Sequence, residues 1–97
     1  MFLTKNDILS KLKEVKPILF SDYSVKEIGL FGSSLGDSFN KDSDIDLLVE
    51  LKKPIGWKFF SLQIYLERLF DRKVDLVTKN GLKKQLRDLI LEQVQYI

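Results

Sequence analysis

The chain has 97 residues, enough for one compact domain with a single modest core but too few for a catalytic domain with a separate substrate-binding domain. Its 16 Lys and Arg residues against 14 Asp and Glu residues give a formal charge of +2, which by itself is too small to imply nucleic-acid binding. The sequence contains no Cys and no His, which excludes disulfide scaffolds, zinc sites with the usual ligands, thiol nucleophiles and imidazole catalysis. Any catalysis must therefore use carboxylates, hydroxyls, backbone amides, Lys, Arg or a metal ion held by oxygen ligands.

The first residues, from Met1 to Asp7, contain no apolar segment of the kind found in signal peptides. No long apolar run follows them, so the sequence offers no membrane-spanning segment. We therefore expect a cytoplasmic protein that does not enter a membrane and that forms a single domain over residues 1–97.

Hydrophobic periodicity predicts helices and strands in alternation. The first helix begins with a capping-box pattern at Thr4 and Asp7, and Pro17 inside it predicts a kink or an early end. In chain order we expect a helix over 5–20, strands over 25–31 and 44–50, a helix over 57–70, a strand over 73–78, a turn at 80–81 and a last helix from about residue 82. Residues 94–97 are left as a tail without a predicted element.

These elements predict an α/β (α+β) fold in which helices pack on one small mixed sheet of at least three strands. A short helix is expected after Gly32, which gives the order αβαβαβα. Trp57, Phe59 and Phe60 are expected in the core, and stacking on a nucleotide base is the alternative for these aromatic rings.

A basic cluster lies around the start of the last helix and comprises Lys79, Lys83, Lys84 and Arg87. These cations could contact a nucleotide or a partner protein. The alternative is a solvated helix face, which is the commoner explanation of such a cluster.

Asp44 and Asp46 are two residues apart on a predicted strand. Because side chains alternate along a strand, both carboxylates should leave the same face, with Ile45 and Leu47 directed to the core. Paired hard oxygen ligands without His or Cys suit Mg²⁺. Asp75 is a third carboxylate inside an apolar strand, a place where polar residues seldom serve packing.

A structural explanation of these carboxylates stays open. Asp42 and Asp44 could be turn residues, and a lone Asp in a strand is often an edge residue paired with Lys. A calcium-binding loop starting at Asp42 is excluded, because Leu47 and Lys53 occupy the positions where that loop requires Gly and Glu.

Gly32 and Ser33 end the first predicted strand. Gly allows close approach of a phosphate to the backbone, and a following helix N-terminus presents free amides to an anion. An ordinary turn is the alternative explanation of this pair.

The combination of these features is more specific than its parts. Phe31-Gly32-Ser33, then Asp44-Ile45-Asp46 after ten residues, then Asp75 on another strand resembles the nucleotidyltransferases of the DNA polymerase beta superfamily. Within that superfamily the chain is similar to the minimal nucleotidyltransferase (MNT) group, which consists of small single domains often paired with HEPN-domain proteins.

The resemblance implies a role for each residue of the motif. Gly32 and Ser33 would hold the triphosphate of ATP or another nucleoside triphosphate. Asp44, Asp46 and Asp75 would bind two Mg²⁺ ions, and Asp75 would help to deprotonate the attacking hydroxyl. The implied activity is transfer of NMP, as AMP from ATP, to a hydroxyl such as a Tyr of a HEPN toxin, with this chain as the antitoxin.

The chain departs from the group's usual Gly-Ser-any-Ala-Arg-Gly at Gly36 and Asp37, which replace the Arg and the second Gly. This departure favours an alternative in which the domain is catalytically weakened and neutralises its partner by contact. Retention of all three Asp residues favours the enzyme. The sequence leaves homo-oligomerisation open, and it gives no reason to expect direct nucleic-acid binding.

Overall fold

The computed structural model describes residues 4–32 and 43–97. In chain order its elements are α1 (Lys5–Tyr23), β1 (Val25–Leu30), β2 (Ile45–Leu51), α2 (Lys58–Phe70), β3 (Val74–Thr78), a short 3₁₀ helix (Lys79–Gly81), α3 (Lys84–Gln93) and β4 (Gln95–Tyr96). The predicted fold class, with helices packed on a small mixed sheet, is confirmed. The short helix expected after Gly32 falls outside the described residues.

The four strands form one sheet in the order β3-β2-β1-β4. β1 is antiparallel to both β2 and β4, whereas β2 and β3 are parallel. Parallel neighbours need a crossover connection, and α2 provides it. The β2-α2-β3 unit therefore brings the amino-terminal ends of two strands side by side.

The core lies between the helices and one face of the sheet. α1 and α2 contribute their buried faces to it, and the sheet contributes inward-facing side chains from β1, β2 and β3. Ile45 and Leu47 on β2 are wholly buried, so the predicted alternation along this strand is confirmed. The buried core residues are Ile8, Leu12, Val15, Leu19, Val25, Ile28, Leu30, Ile45, Leu47, Val49, Leu62, Leu66, Phe70, Val74 and Leu76.

Helix α1 begins at the predicted capping box. The Asp7 backbone N–H donates to the Thr4 hydroxyl at 3.1 Å, and the Thr4 N–H donates to the Asp7 carboxylate at 2.9 Å. The expected early end at Pro17 is wrong, because the helix continues to Tyr23. Pro17 lies on the exposed side, while Leu19 is buried beyond it and anchors the last turns to the core.

The tail that the sequence left without an element forms β4. Its backbone pairs with Gly29 and Leu30 of β1, and the Ile97 N–H donates to the Ile28 carbonyl at 3.1 Å. Gly29 makes this approach possible, since a Cβ at that position would lie 2.6 Å from the Gln95 carbonyl oxygen. The edge of the sheet thus depends on the absence of one side chain.

The expectation that Trp57 and Phe60 belong to the core is wrong. Both side chains are exposed, while Phe59 is partly buried against the core. The reason is that α2 carries apolar residues on two faces, and the sheet covers only one of them. Within residues 4–32 and 43–97, no helix combines the length and the apolar character needed to cross a membrane.

Candidate functional site

Two carboxylates meet where β2 and β3 begin. Asp46 on β2 and Asp75 on β3 are direct Cα partners in the parallel ladder. Side chains at paired positions of neighbouring strands leave the same face of the sheet, and the strands lie roughly 4.8 Å apart. Asp46 is half-buried and Asp75 is exposed, so the pair is open to a ligand from solvent.

Asp44 occupies a different position from the one expected. β2 begins at Ile45, so Asp44 precedes the strand and is exposed. The alternation argument therefore applies to Asp46 but does not fix the direction of Asp44. Among the described residues, no three acidic side chains already stand close enough together to hold a metal ion. The structure thus pairs Asp46 with Asp75 and leaves Asp44 at the entrance to the strand.

Gly32 lies directly against the Asp46 side chain of this pair. Its φ is +65°, in the left-handed region that favours glycine. A Cβ at this position would lie 2.7 Å from the Asp46 Oδ2, closer than such atoms approach in proteins. The preceding Phe31 N–H donates to the Asp46 carbonyl at 3.2 Å and fixes the end of β1 beside β2. The sequence identified Gly32 through its place after a strand, but its contact with Asp46 is evident only from the structure.

The remaining motif residues fall in the part of the chain that the structure does not describe. Ser33, Gly36, Asp37, Lys41 and Asp42 all belong to residues 33–42. The predicted contribution of Ser33 to triphosphate binding therefore stays a prediction, as does the effect of Gly36 and Asp37.

The chemistry of the site suits a hard divalent cation. Asp46 and Asp75 offer carboxylate oxygens, which Mg²⁺ prefers, and Asp44 is near in sequence. Mg²⁺ typically takes one or two protein carboxylates and completes its shell with water and substrate phosphates. Two paired carboxylates beside Gly32, which has no side chain, fit that requirement without a third ligand already in place.

The basic cluster around the start of α3 is turned to solvent. Lys83, Lys84 and Arg87 are exposed, which agrees with a solvated helix face. Lys79 lies 3.8 Å from the Glu50 carboxylate, and Lys26 lies 4.0 Å from the same side chain.

A groove of about 310 Å³ lies at the carboxyl ends of β2 and β3, with Glu50, Lys52 and Lys79 in its lining. It is separated from Asp46 and Asp75, which lie at the amino ends of the same strands. The carboxylate pair carries the chemistry expected of the chain, so we place the candidate site there rather than in the groove.

Comparisons with known proteins bear on this site. Residues 12–97 match the model of a family described as a nucleotidyltransferase domain. A protein adenylyltransferase MntA from Thermococcus cleftensis is 40% identical over 96 residues, covering 98% of this chain and 97% of the relative.

Two solved structures share the architecture. One, assigned as a minimal nucleotidyltransferase, superposes with a TM-score of 0.81 at 24% identity and covers 96% of this chain and 95% of its own. The other is a tri-AMPylated HEPN toxin of Shewanella oneidensis in complex with an MNT antitoxin. It superposes with a TM-score of 0.60 at 25% identity, covering 95% of this chain and 66% of the matched chain.

Proposed function

Because the chain belongs to the nucleotidyltransferase domain family, we propose that it transfers AMP from ATP to a tyrosine hydroxyl of a partner HEPN-domain toxin and thereby acts as an antitoxin. The observation that carries the proposal is the Asp46–Asp75 pair, with Gly32 against the Asp46 carboxylate. The MntA relative and the complex containing an AMPylated toxin support the choice of AMP and of a protein acceptor.

In this proposal Asp46 and Asp75 would hold Mg²⁺, with Asp44, which precedes β2, as a further carboxylate ligand. The bound ions would neutralise the phosphate oxygens and orient the α-phosphate for in-line attack. Gly32, which has no side chain, leaves room for the triphosphate to approach the backbone, and Ser33 adds a hydroxyl donor. These groups position and neutralise the nucleotide, which is most of what this kind of reaction requires.

The transfer itself needs one bond to form and one to break. The tyrosine oxygen bonds to the α-phosphorus, and the bond from that phosphorus to the oxygen bridging to the β-phosphate breaks, releasing pyrophosphate. The proton of the tyrosine hydroxyl passes to the Asp75 carboxylate, which is exposed and directly opposite Asp46. No His is needed, in keeping with its absence from the sequence.

The alternative function is a module that neutralises its partner by contact alone. Gly36 and Asp37 favour it, because a lost cation and an added carboxylate near a triphosphate would weaken nucleotide binding.

Intact-mass measurement separates the two functions. The chain is incubated with Mg²⁺-ATP and a candidate HEPN-domain partner, and the mass of that partner is followed. A gain of one or more AMP masses, abolished by EDTA, supports transfer. Inhibition of the toxin with no change of mass would establish the contact mechanism instead.

A further inference from the structure

The side of α2 that faces away from the core carries an exposed apolar ridge. It consists of Trp57, Phe60 and Ile64, whose side chains are 83%, 57% and 50% exposed. The spacing of three and four residues places them on one helix face, opposite the wholly buried Leu62 and Leu66. The ring centroids of Trp57 and Phe60 are 5.7 Å apart, so the two rings form one continuous apolar surface.

A groove adjoins this ridge along the carboxyl-terminal half of α2. Its volume is about 260 Å³, and it is lined by Tyr23, Ser61, Ile64, Tyr65 and Arg68. The rings of Tyr23 and Tyr65, with centroids 5.7 Å apart, form one wall. A cavity of roughly 150 Å³ accommodates a benzene ring in an apolar protein interior. The groove therefore has room for an aromatic side chain.

We propose that this face binds a second copy of the chain, α2 against α2 about a two-fold axis, with the ridge of each copy in the groove of the other. The aromatic part of the ridge lies on the amino-terminal half of α2 and the groove lies mainly on the carboxyl-terminal half. In an antiparallel two-fold arrangement, the amino-terminal half of each α2 contacts the carboxyl-terminal half of the other copy's α2. The same contact therefore forms twice. That is the self-complementarity that an interface between identical surfaces requires.

Charge favours the same pairing. Arg68 stands at the groove end of α2, and Trp57 stands at the opposite end of the same face. In the antiparallel arrangement the Arg68 guanidinium of one copy meets the indole ring of the other, and a cation over an indole face is an attractive contact. Ser61 lies near the middle of the face, where its small side chain lets the two helices approach closely.

The ridge supplies about half of the area that each partner of a stable dimer buries. The ridge exposes roughly 400 Å² of apolar surface, since a large aromatic side chain contributes about 150–250 Å². Stable interfaces bury about 800 Å² on each partner. The groove walls, formed in part by Tyr23 and Tyr65, supply further apolar area beside the ridge.

The first test is the mass of the chain in solution as a function of concentration, by sedimentation velocity. We expect a species of twice the 11.3 kDa chain mass to grow across the micromolar range. Trp57 is the sole tryptophan of the sequence, so its emission should shift to the blue over the same range. A chain that stays monomeric to millimolar concentration overturns the proposal. So does an emission shift that appears only on adding the HEPN-domain protein, because the face would then belong to that partner.

The second test uses two variants, one that weakens the ridge and one that blocks the groove. Phe60→Ala removes part of the ridge and Ser61→Phe fills the groove, and each should weaken self-association about thirtyfold, as loss of an interface hot spot does. Mixing them should recover part of the association, because one intact ridge can still enter one intact groove while the second contact stays impaired. Leu89→Ala removes an exposed apolar side chain from α3 and should leave the dimer unchanged.

Circular dichroism of each variant establishes that it is folded. A mixture that associates no better than the separate variants would refute the ridge-in-groove pairing. If Leu89→Ala weakens self-association as strongly as Phe60→Ala does, the interface does not lie on this face of α2.

Discussion

Asp46 and Asp75 are direct partners across the parallel strands β2 and β3. Like charges at directly opposed positions of a sheet destabilise it unless a cation or a proton neutralises them. The arrangement that suits the pair to a divalent cation therefore also sets two carboxylates opposite each other. We expect their mutual repulsion to lower the stability of the domain when no cation is bound.

The repulsion between the two carboxylates should be measurable as a difference in melting temperature. Replacing Asp75 by Asn relieves the repulsion, worth roughly 0.2–1 kcal/mol for a cross-strand pair. At about 4–8 °C per kcal/mol for a domain of this size, the metal-free Asp75→Asn variant should melt about 1–8 °C above the unmodified chain. Asp88→Asn removes an exposed carboxylate from α3 and should not reproduce this rise.

Adding Mg²⁺ with ATP should reverse that order. A ligand at 100 times its dissociation constant adds about 2.7 kcal/mol to the native state. The unmodified chain should gain this stabilisation and Asp75→Asn should gain little. If both proteins respond equally, Asp75 is not part of a nucleotide-metal site.

Asp46→Asn should abolish AMP transfer while the domain stays folded. Asn keeps the shape of the side chain but lacks the charge that a hard cation requires, and losing a ligand of the metal should cost several kcal/mol of transition-state stabilisation, on the order of a thousandfold in rate or more. The measurement is the initial rate of AMP incorporation into the partner protein. Glu14→Gln, which removes an exposed carboxylate from α1, is the matched control. Retained activity in Asp46→Asn would exclude this residue from the site.

Gly32 and Gly56 allow backbone strain to be separated from loss of function. Both have positive φ, +65° and +57°, but a Cβ at Gly56 meets nothing within 4 Å, whereas one at Gly32 would meet Asp46 Oδ2 at 2.7 Å. Each Gly→Ala change should cost about 1–2 kcal/mol, because a left-handed conformation is unfavourable for alanine. The Asp46 carboxylate can turn away at little further cost in stability, but it then leaves its place beside Asp75.

We therefore expect similar losses of melting temperature in the two variants, and a loss of AMP transfer in Gly32→Ala alone. Both quantities are measured on the same two preparations. Equal activities would show that the carboxylate does not depend on this glycine.

Gly29→Ala should release β4 from the sheet. The added Cβ would lie 2.6 Å from the Gln95 carbonyl oxygen and 2.8 Å from the Val94 side chain, and the Gln95 atom is backbone that cannot turn aside. Hydrogen exchange should detect the release of β4. In the unmodified chain the Ile97 N–H donates to the Ile28 carbonyl, and this amide should lose its protection in the variant. The amides of α2 should keep their protection from exchange. An unchanged exchange rate at Ile97 would mean that β1 and β4 part easily enough to accept a methyl group.

The capping box of α1 should give acid sensitivity. The hydrogen bond from the Thr4 backbone N–H lowers the pKa of Asp7 below its usual 3.8. A lowered folded-state pKa contributes stability that is present above the unfolded pKa and is lost as pH falls through the folded one. The difference in melting temperature between the unmodified chain and Asp7→Asn should thus be full near pH 7 and shrink below about pH 4. A difference independent of pH would assign the effect of Asp7→Asn to shape rather than charge.

Locally determined features were predictable from the sequence. The cap at Thr4 and Asp7 involves residues three apart, and the alternation of Ile45 and Leu47 follows from the geometry of a single strand. The pairing of β2 with β3 could not be derived this way, because it depends on the crossover through α2. The resemblance to a family suggested that Asp75 would approach Asp46, and the register puts them opposite each other.

Features set by distant parts of the chain were missed. β4 has two residues, too few for a periodic pattern, and its place depends on the missing side chain of Gly29. Trp57 and Phe60 were assigned to the core because apolar residues usually are buried. Periodicity alone could not show which of the two apolar faces of α2 would meet the sheet.

The β2-α2-β3 unit is one continuous stretch of chain, from Ile45 to Thr78. Joining Asp46 to Asp75 closes only the loop formed by that crossover, whereas joining β1 to β4 closes a loop of about twice the length. Contacts that are nearer in sequence form sooner, since less chain entropy is lost before they are made. The carboxylate pair is thus expected to take shape early in folding, with β4 docking last. Disruption of β4 at the edge of the sheet can then destabilise the domain without changing the distance between Asp46 and Asp75.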